Sequence, residues 1–132
     1  MRIARPLTLV IPGLVAVGLV GLTTPALAAS TPTVVNGTCT KGSLSNLQVQ
    51  REDNGTLSID FGVDMARHTS GVPWTVRVTD NGALVARTHT TTISDGSFSV
   101  TRVLTPKAGA NHVVATARNS ATGERCVLRA VV

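Results

Sequence analysis

The sequence is 132 residues long, with 12 Lys plus Arg against 7 Asp plus Glu and a net charge of +5. This length accommodates one ordinary domain rather than two. A charged fraction of 14% with 42% hydrophobic residues excludes a wholly disordered polyelectrolyte. Two cysteines exclude a four-cysteine zinc site, and the three aromatic residues in the chain disfavour recognition by ring stacking.

Residues 1–28 have the three parts of a secretory signal peptide. Arg2 and Arg5 form a basic start, residues 7–22 are apolar, and an A-x-A cleavage site ends at Ala28. A retained transmembrane anchor is the alternative, but the apolar run of 16 residues is short for a spanning helix and contains Pro12. The sequence therefore predicts cleavage after about Ala28 and a secreted, extracellular protein.

The exported part has two cysteines, Cys39 and Cys126. An even number of cysteines in an exported chain predicts a disulfide, and these two can pair in only one intramolecular way. Free thiols or a redox pair are the alternatives, although no C-x-x-C spacing is present to lower a thiol pKa. We expect residues 29–38 to be a flexible segment and residues 39–132 to form the folded domain.

Seven segments of the domain alternate apolar and polar residues with a period of two, which is typical of half-buried β-strands. They are residues 47–50, 56–64, 74–79, 84–89, 97–104, 112–119 and 126–130. Gly-containing turn signals separate several of them, as at Asn54-Gly55 and Asp95-Gly96. The alternation puts Leu84 on the inward face, and it slips at Arg102, as a β-bulge would make it do.

This pattern predicts an all-β fold, a seven-stranded antiparallel immunoglobulin-like sandwich with a fibronectin-III-like strand order, after the signal peptide. A resemblance to a known group of proteins covers about residues 39–132. It depends on the runs I-D-F-G-V-D, V-P-W-T-V-R-V, D-G-S-F-S-V and A-T-A-R-N-S-A-T-G-E-R-C. On these runs the chain resembles small secreted immunoglobulin-like proteins of high-GC Gram-positive bacteria, whose function is uncharacterised. The resemblance implies the fold and assigns no catalytic residue.

Candidate catalytic and metal-binding groups are few. Asp64, His68 and Ser70 are close in sequence, but there is no G-x-S-x-G elbow to present a nucleophile, and a solvated loop explains them better. His68, His89 and His112 lie at no metal-ligand spacing. We therefore expect no enzymatic activity, no metal and no cofactor.

One group of charged residues remains. Strand parity directs four arginines outward from strands that form one sheet of an immunoglobulin-like sandwich, while Asp60 and Asp64 face outward from the other sheet. These arginines are Arg77, Arg87, Arg118 and Arg129. Such a face could bind an anionic polymer through charge and bidentate hydrogen bonds. The alternative is that the arginines only keep an exposed sheet soluble.

The sequence thus predicts a non-catalytic binding or adhesion domain that acts at the cell envelope or in the medium. Its expected partner is an anionic wall polymer or an extracellular protein. Inward parity of all three aromatics disfavours nucleic acid, and we expect a monomer without stable membrane insertion after cleavage. The alternative function is a secreted inhibitor that presents residues 67–72 to an extracellular hydrolase, and a hydrolase with His68 in a pocket is a third possibility.

Overall fold

The computed structural model describes residues 30–132, and the predicted signal peptide with its cleavage site lies outside this range. The described residues form eight β-strands, and they contain no helix long and apolar enough to cross a membrane. The strands are β1 (Thr33–Thr38), β2 (Leu44–Arg51), β3 (Leu57–Asp64), β4 (Pro73–Asp80), β5 (Ala83–Thr91), β6 (Ser97–Leu104), β7 (His112–Asn119) and β8 (Arg125–Val131).

The strands form two antiparallel sheets of four strands each. One sheet has the order β1-β2-β3-β6, and the other has the order β5-β4-β7-β8. The inward side chains of both sheets form one cluster of buried apolar residues, which the period-two alternation predicts. The all-β, antiparallel, two-sheet prediction is therefore confirmed.

The predicted number of seven strands is wrong, because the structure has an eighth strand at the start of the domain. Strand β1 occupies Thr33–Thr38, inside the segment that the sequence predicts to be flexible, and its whole length pairs with β2, from Thr33↔Val49 to Thr38↔Leu44. The Thr- and Pro-rich composition around Pro32 suggests a loose segment, but Val and Thr also suit strands. Pairing with β2, the next strand in the chain, decides the outcome.

The aromatic side chains are in the core, as the alternation predicts. Trp74 is 1% exposed, Phe61 is 0% exposed and Phe98 is 6% exposed. The Trp74 and Phe98 rings have centroids 5.5 Å apart, and those of Phe61 and Phe98 are 6.5 Å apart and arranged edge to face. These three rings join the two sheets, since Phe61 and Phe98 lie on β3 and β6 while Trp74 lies on β4.

Two local predictions are wrong, and both concern register. The β3–β6 pairing runs without interruption past Arg102, so the predicted bulge is absent there. Arg102 is at an inward position of the edge strand β6, but its side chain is exposed. The irregularity is instead in β5, where Val85 is an extra residue between the partners of Val78 and Thr79. As a result Leu84 is 55% exposed, and Val85 packs against the core in its place.

The predicted disulfide is present and joins the two sheets at one end. Cys39 follows β1 directly, Cys126 lies on β8, and their Cα atoms are 4.4 Å apart. Beside the disulfide, Thr40 binds the backbone of Arg125 twice: the Thr40 N–H donates to the Arg125 carbonyl at 3.0 Å, and the Arg125 N–H donates to Thr40 Oγ1 at 2.9 Å. The first and last parts of the domain are thus held together.

A buried polar network closes the opposite end. The Arg51 guanidinium donates to the carbonyls of Gly109 at 3.0 Å and Val132 at 3.3 Å. Asn111 is fully buried, and with its amide oriented to suit its neighbours it donates to the Asp80 carboxylate at 2.8 Å and accepts from Arg51 at 2.7 Å. Both ends of the sandwich are therefore fixed by specific bonds, which leaves the outer sheet faces as its broad free surfaces.

Candidate functional site

The outward face of the β5-β4-β7-β8 sheet carries two pairs of directly opposed arginines. Arg77 on β4 is the register partner of Arg87 on β5, and Arg118 on β7 is the register partner of Arg125 on β8. All four side chains are exposed. Like charges at directly opposed positions of an antiparallel pair destabilise the sheet, so this sheet contains two unfavourable pairs on one face.

Sequence parity identified three of these four arginines. Arg77, Arg87 and Arg118 are exposed as expected and belong to the opposed pairs, whereas Arg129 is exposed on the same sheet but lies opposite Val114. Arg125 takes the fourth place, and the sequence reasoning missed it. The signal was available, because the inward parity of Cys126 also directs the residue before it outward.

The arginines surround a groove of about 710 Å³. Its floor is formed by Thr75 and Thr116, which lie on the two central strands beside Arg118 and Arg77, respectively. Thr75 Oγ1 and His89 Nδ1 are 3.1 Å apart and form a hydrogen bond. The groove lining therefore combines threonine hydroxyl groups, an imidazole and guanidinium groups.

The charge of this face is of one sign. In the strands of residues 30–132, the outward positions of this sheet contain no Asp or Glu. The ion pair of the described residues, between His68 and Asp64, does not involve this sheet. The acids Asp60 and Asp64 are exposed on β3 in the other sheet, as the sequence predicts. The molecule thus presents a cationic groove on one sheet and carboxylates on the other.

The four arginines form a band that crosses the whole sheet. Arg87 and Arg77 occupy one row, and Arg118 and Arg125 occupy the row two residues along. With strands ~4.8 Å apart and ~3.4 Å per residue, the backbone positions of Arg87 and Arg125 are about 16 Å apart. A ligand that contacts all four must be extended and must carry several negative charges.

The residues considered for hydrolysis do not assemble into a catalytic group. His68 Nδ1 lies 3.9 Å from Asp64 Oδ1 and 2.9 Å from the Asp95 carbonyl, and both side chains of the ion pair are largely exposed. Ser70 forms no hydrogen bond with either of them in the described structure. A search of residues 30–132 finds no group of His, Cys, Asp or Glu that could hold a metal ion.

The loop between β3 and β4, proposed above as an inhibitory loop, is held at several points. Thr92 is buried and binds the loop twice: its Oγ1 donates to the Thr69 carbonyl at 2.6 Å and accepts from the Val72 N–H at 3.0 Å. The neighbouring β5–β6 turn is also ordered, because Ser97 donates from its hydroxyl and N–H to Asp95, which lowers the pKa of Asp95. The loop is exposed but well supported.

Replacing Gly96 by alanine tests how tightly this loop is packed. A Cβ on Gly96 would lie 2.5 Å from His68 Cα, and the φ of +80° already disfavours alanine. Gly55 is a matched control, because it has a φ of +82° but open space around its Cβ position. We expect Gly55→Ala to lower the free energy of unfolding by about 1 kcal/mol and Gly96→Ala by about 3 kcal/mol in urea titrations. Equal losses would contradict the close packing.

The fold and the groove define an all-β protein of two disulfide-linked, four-stranded sheets with one cationic face. Comparison of the chain with protein-family models, with curated proteins and with solved structures finds no match.

Proposed function

We propose that this protein is a secreted immunoglobulin-like domain without catalytic activity, which binds a linear anionic polymer at the cell envelope or in the medium. The observation that carries the proposal is the pair of opposed arginine pairs around one groove, Arg77 with Arg87 and Arg118 with Arg125. The domain acts as a monomer and needs no cofactor.

The strand order supports the immunoglobulin-like assignment. Counted from β2, the first, second and fifth strands are neighbours in one sheet, and the fourth, third, sixth and seventh are neighbours in the other. This order supports a fibronectin-III-like arrangement, in which β1 would be an addition beside β2 at the edge of the first sheet. The groove then lies on the four-stranded face of that arrangement.

Export is supported by two independent features. The basic, apolar and A-x-A parts of residues 1–28 are those of a signal peptide, and the Cys39–Cys126 disulfide suits an oxidising compartment. N-terminal sequencing of protein collected from the culture medium tests this step, and we expect the chain to begin at about Ala29.

Binding explains the arginine pairs better than solubility does. A soluble surface is obtained most readily by mixing charges of both signs, and placing two arginines directly opposite each other weakens the sheet. An anionic ligand removes this repulsion, and guanidinium groups bind phosphate or carboxylate groups through paired hydrogen bonds. Occupation of the groove by an anion therefore gives a physical reason for its charge of one sign.

The length and composition of the groove limit the class of ligand that it can bind. A band about 16 Å long favours a chain with at least three charged groups over a single small anion. The Trp and Phe rings are buried in the core, so none of them is available for stacking on bases or sugars. A phosphate- or carboxylate-bearing polymer of the envelope fits these properties, and nucleic acid fits them less well.

Charge reversal within the groove is the experiment that tests the proposal. We expect Arg77→Glu with Arg118→Glu to weaken binding to long-chain polyphosphate and to heparin about 100-fold, at ~1.4 kcal/mol for each lost arginine contact. The matched control is Arg102→Glu with Lys107→Glu, which makes the same change in net charge away from the groove sheet. We expect this control to stay within about threefold of the parent protein, because distant exposed charges are screened by salt.

Three results would contradict the proposal. The first is an equal loss of polymer affinity in the two double variants, which would indicate an effect of net charge. The second is no binding to either polymer or to a bacterial cell-wall fraction. The third is inorganic phosphate that competes for the groove as strongly as the polymers do. Polyphosphate and heparin also separate phosphate from sulfate and carboxylate as the preferred group.

The supported β3–β4 loop favours the inhibitor as a second candidate function. Rigid loops bind with a smaller loss of conformational entropy, and Thr92 holds this loop at Thr69 and Val72. However, the carbonyl of Arg67 already accepts a hydrogen bond from the Thr69 hydroxyl, which makes it less free to enter an oxyanion hole. Inhibition of a panel of extracellular hydrolases that Arg67→Ala abolishes would favour this candidate.

A further inference from the structure

A second cavity lies at the disulfide end of the sandwich, on a different surface from the arginine groove. It has a volume of about 330 Å³, within the range of small-molecule sites. Three chain segments meet there: the turn after β1, the start of the β3–β4 loop and the β7–β8 turn. The lining residues are Lys41, Ser43, Met65, Ala66, Arg67, Asn119, Thr122 and Glu124.

Asn119 in this cavity has an unused hydrogen-bond donor. Its side chain is 0% exposed, and its Oδ1 accepts from the N–H groups of Ala121 at 2.9 Å and Thr122 at 3.1 Å. Its Nδ2 has no acceptor among the described residues. A buried amide nitrogen without an acceptor is uncommon, because it loses its hydrogen bonds to water without replacing them.

A second unused donor lies on the neighbouring strand. Trp74 on β4 is the register partner of Asn119 on β7, and its indole Nε1 also lacks an acceptor in the described part of the chain. Trp74 lines a different surface cavity, together with His89 and Ser120, so Asn119 Nδ2 is the unused donor of the cavity at the disulfide end, and the indole is a reporter on the neighbouring strand.

The charges around the cavity indicate which acceptor fits. Glu124 is 3% exposed, and its carboxylate already accepts from the Lys41 N–H, the Ser43 N–H and the Ser43 hydroxyl at 2.9, 3.0 and 2.6 Å. Its charge is therefore stabilised by its own partners. The side chains of Lys41 and Arg67 are exposed cations at the cavity, so an acceptor with a negative charge is favoured.

We propose that this cavity binds a carboxylate group, carried by a small molecule or by the carboxyl terminus of a peptide. One carboxylate oxygen accepts from Asn119 Nδ2, Lys41 and Arg67 stabilise the charge, and Met65 and Ala66 contact the apolar part of the ligand. The site is independent of the arginine groove, and reversing Arg77 and Arg118 leaves it unchanged.

The single tryptophan provides a direct test by nuclear magnetic resonance, since its indole N–H gives one assignable signal. N-acetylalanine and the peptide Ala-Ala-Ala are titrated into the folded, oxidised protein, with N-acetylalaninamide as the uncharged comparison. We expect saturable shifts of the Trp74 indole and Asn119 amide signals with at least one carboxylate, and at least tenfold weaker binding of the amide. Preference between the two carboxylates distinguishes a small molecule from a peptide terminus.

Two sets of variants assign the binding to this cavity. Asn119→Asp keeps an oxygen for Ala121 and Thr122 but removes the donor, so we expect at least tenfold weaker binding; Asn54→Asp, in another turn, is the matched control. Lys41→Ala with Arg67→Ala is the second variant, and it changes only exposed side chains, so it tests the site even if Asn119→Asp does not fold. We expect this double variant also to bind the carboxylate probes at least tenfold more weakly.

The proposal is overturned if none of the three probes shifts the two signals, or if acid and amide bind equally. It is also overturned if the Lys41 and Arg67 variant binds like the parent. Contact of the Asn119 side-chain amide with a buried water that the probes do not displace would identify the cavity as a hydration site only.

Discussion

Replacing Cys39 and Cys126 by alanine is expected to lower the free energy of unfolding by about 4 kcal/mol. The disulfide joins residues 87 positions apart, and closing a loop of this length in the unfolded chain removes conformational entropy worth ~4.6 kcal/mol at most. Such a loss is a large part of the total stability of a small domain. Urea unfolding of the oxidised parent and the double variant measures the effect.

The control for this prediction is the reduced parent protein, which keeps both sulfur atoms without the bond. We expect it to unfold at a urea midpoint close to that of the double variant, since both lack the same constraint. A parent protein whose two thiols react freely with an alkylating agent before reduction, or an unchanged midpoint in the variant, would contradict a structural disulfide.

Replacing Glu124 by alanine is expected to lower the free energy of unfolding by about 3 kcal/mol. The carboxylate is buried and accepts three hydrogen bonds from Lys41 and Ser43. Its removal leaves these donors without an acceptor inside the protein, and each unsatisfied buried group is costly. Because the contacts join the turn after β1 to the β7–β8 turn, we expect these two segments to lose protection in hydrogen exchange first.

The chain offers a matched control in Glu52, its other glutamate, whose side chain forms no hydrogen bond in the described structure. We expect Glu52→Ala to change the stability by less than ~0.5 kcal/mol. Glu124→Gln keeps one carbonyl oxygen and should lie between the two. A Glu124→Ala variant as stable as Glu52→Ala would show that water replaces the lost acceptor.

The contacts at the disulfide end of the domain also position one arginine of the proposed binding groove. Arg125 lies between Glu124 and Cys126 in sequence, and its backbone is bound twice by Thr40. The position of Arg125 opposite Arg118 therefore depends on the same contacts that close the domain. A variant weakened at this end is expected to lose part of its polymer affinity even with all groove arginines intact.

Local patterns in the sequence were sufficient for much of the fold. Alternation predicted the strands from β2 to β8 and the inward positions of Trp74, Phe61 and Phe98, because side-chain direction in a strand changes with every residue. The cysteine count predicted the disulfide, since only one pair was available. These inferences depend on short stretches or on composition, and neither requires knowledge of which strands are neighbours.

The errors arose where pairing with another strand decides the local structure. Residues 33–38 form a strand because β2 provides a partner with which to pair, and Leu84 faces outward because the β4–β5 register contains an extra residue. Nothing in the composition of either segment specifies these partners. Pairing energy between segments overrides weak local preference.

By itself, the sequence determined an all-β domain closed by one disulfide, with arginines directed outward from several strands. Only the tertiary structure decided which arginines oppose each other, that Arg125 rather than Arg129 completes the groove, and that Asn119 is buried with an unused donor. The physical reason is that side-chain direction is a property of a single strand. Charge repulsion, cavities and unsatisfied donors depend on neighbours that are brought together only by folding.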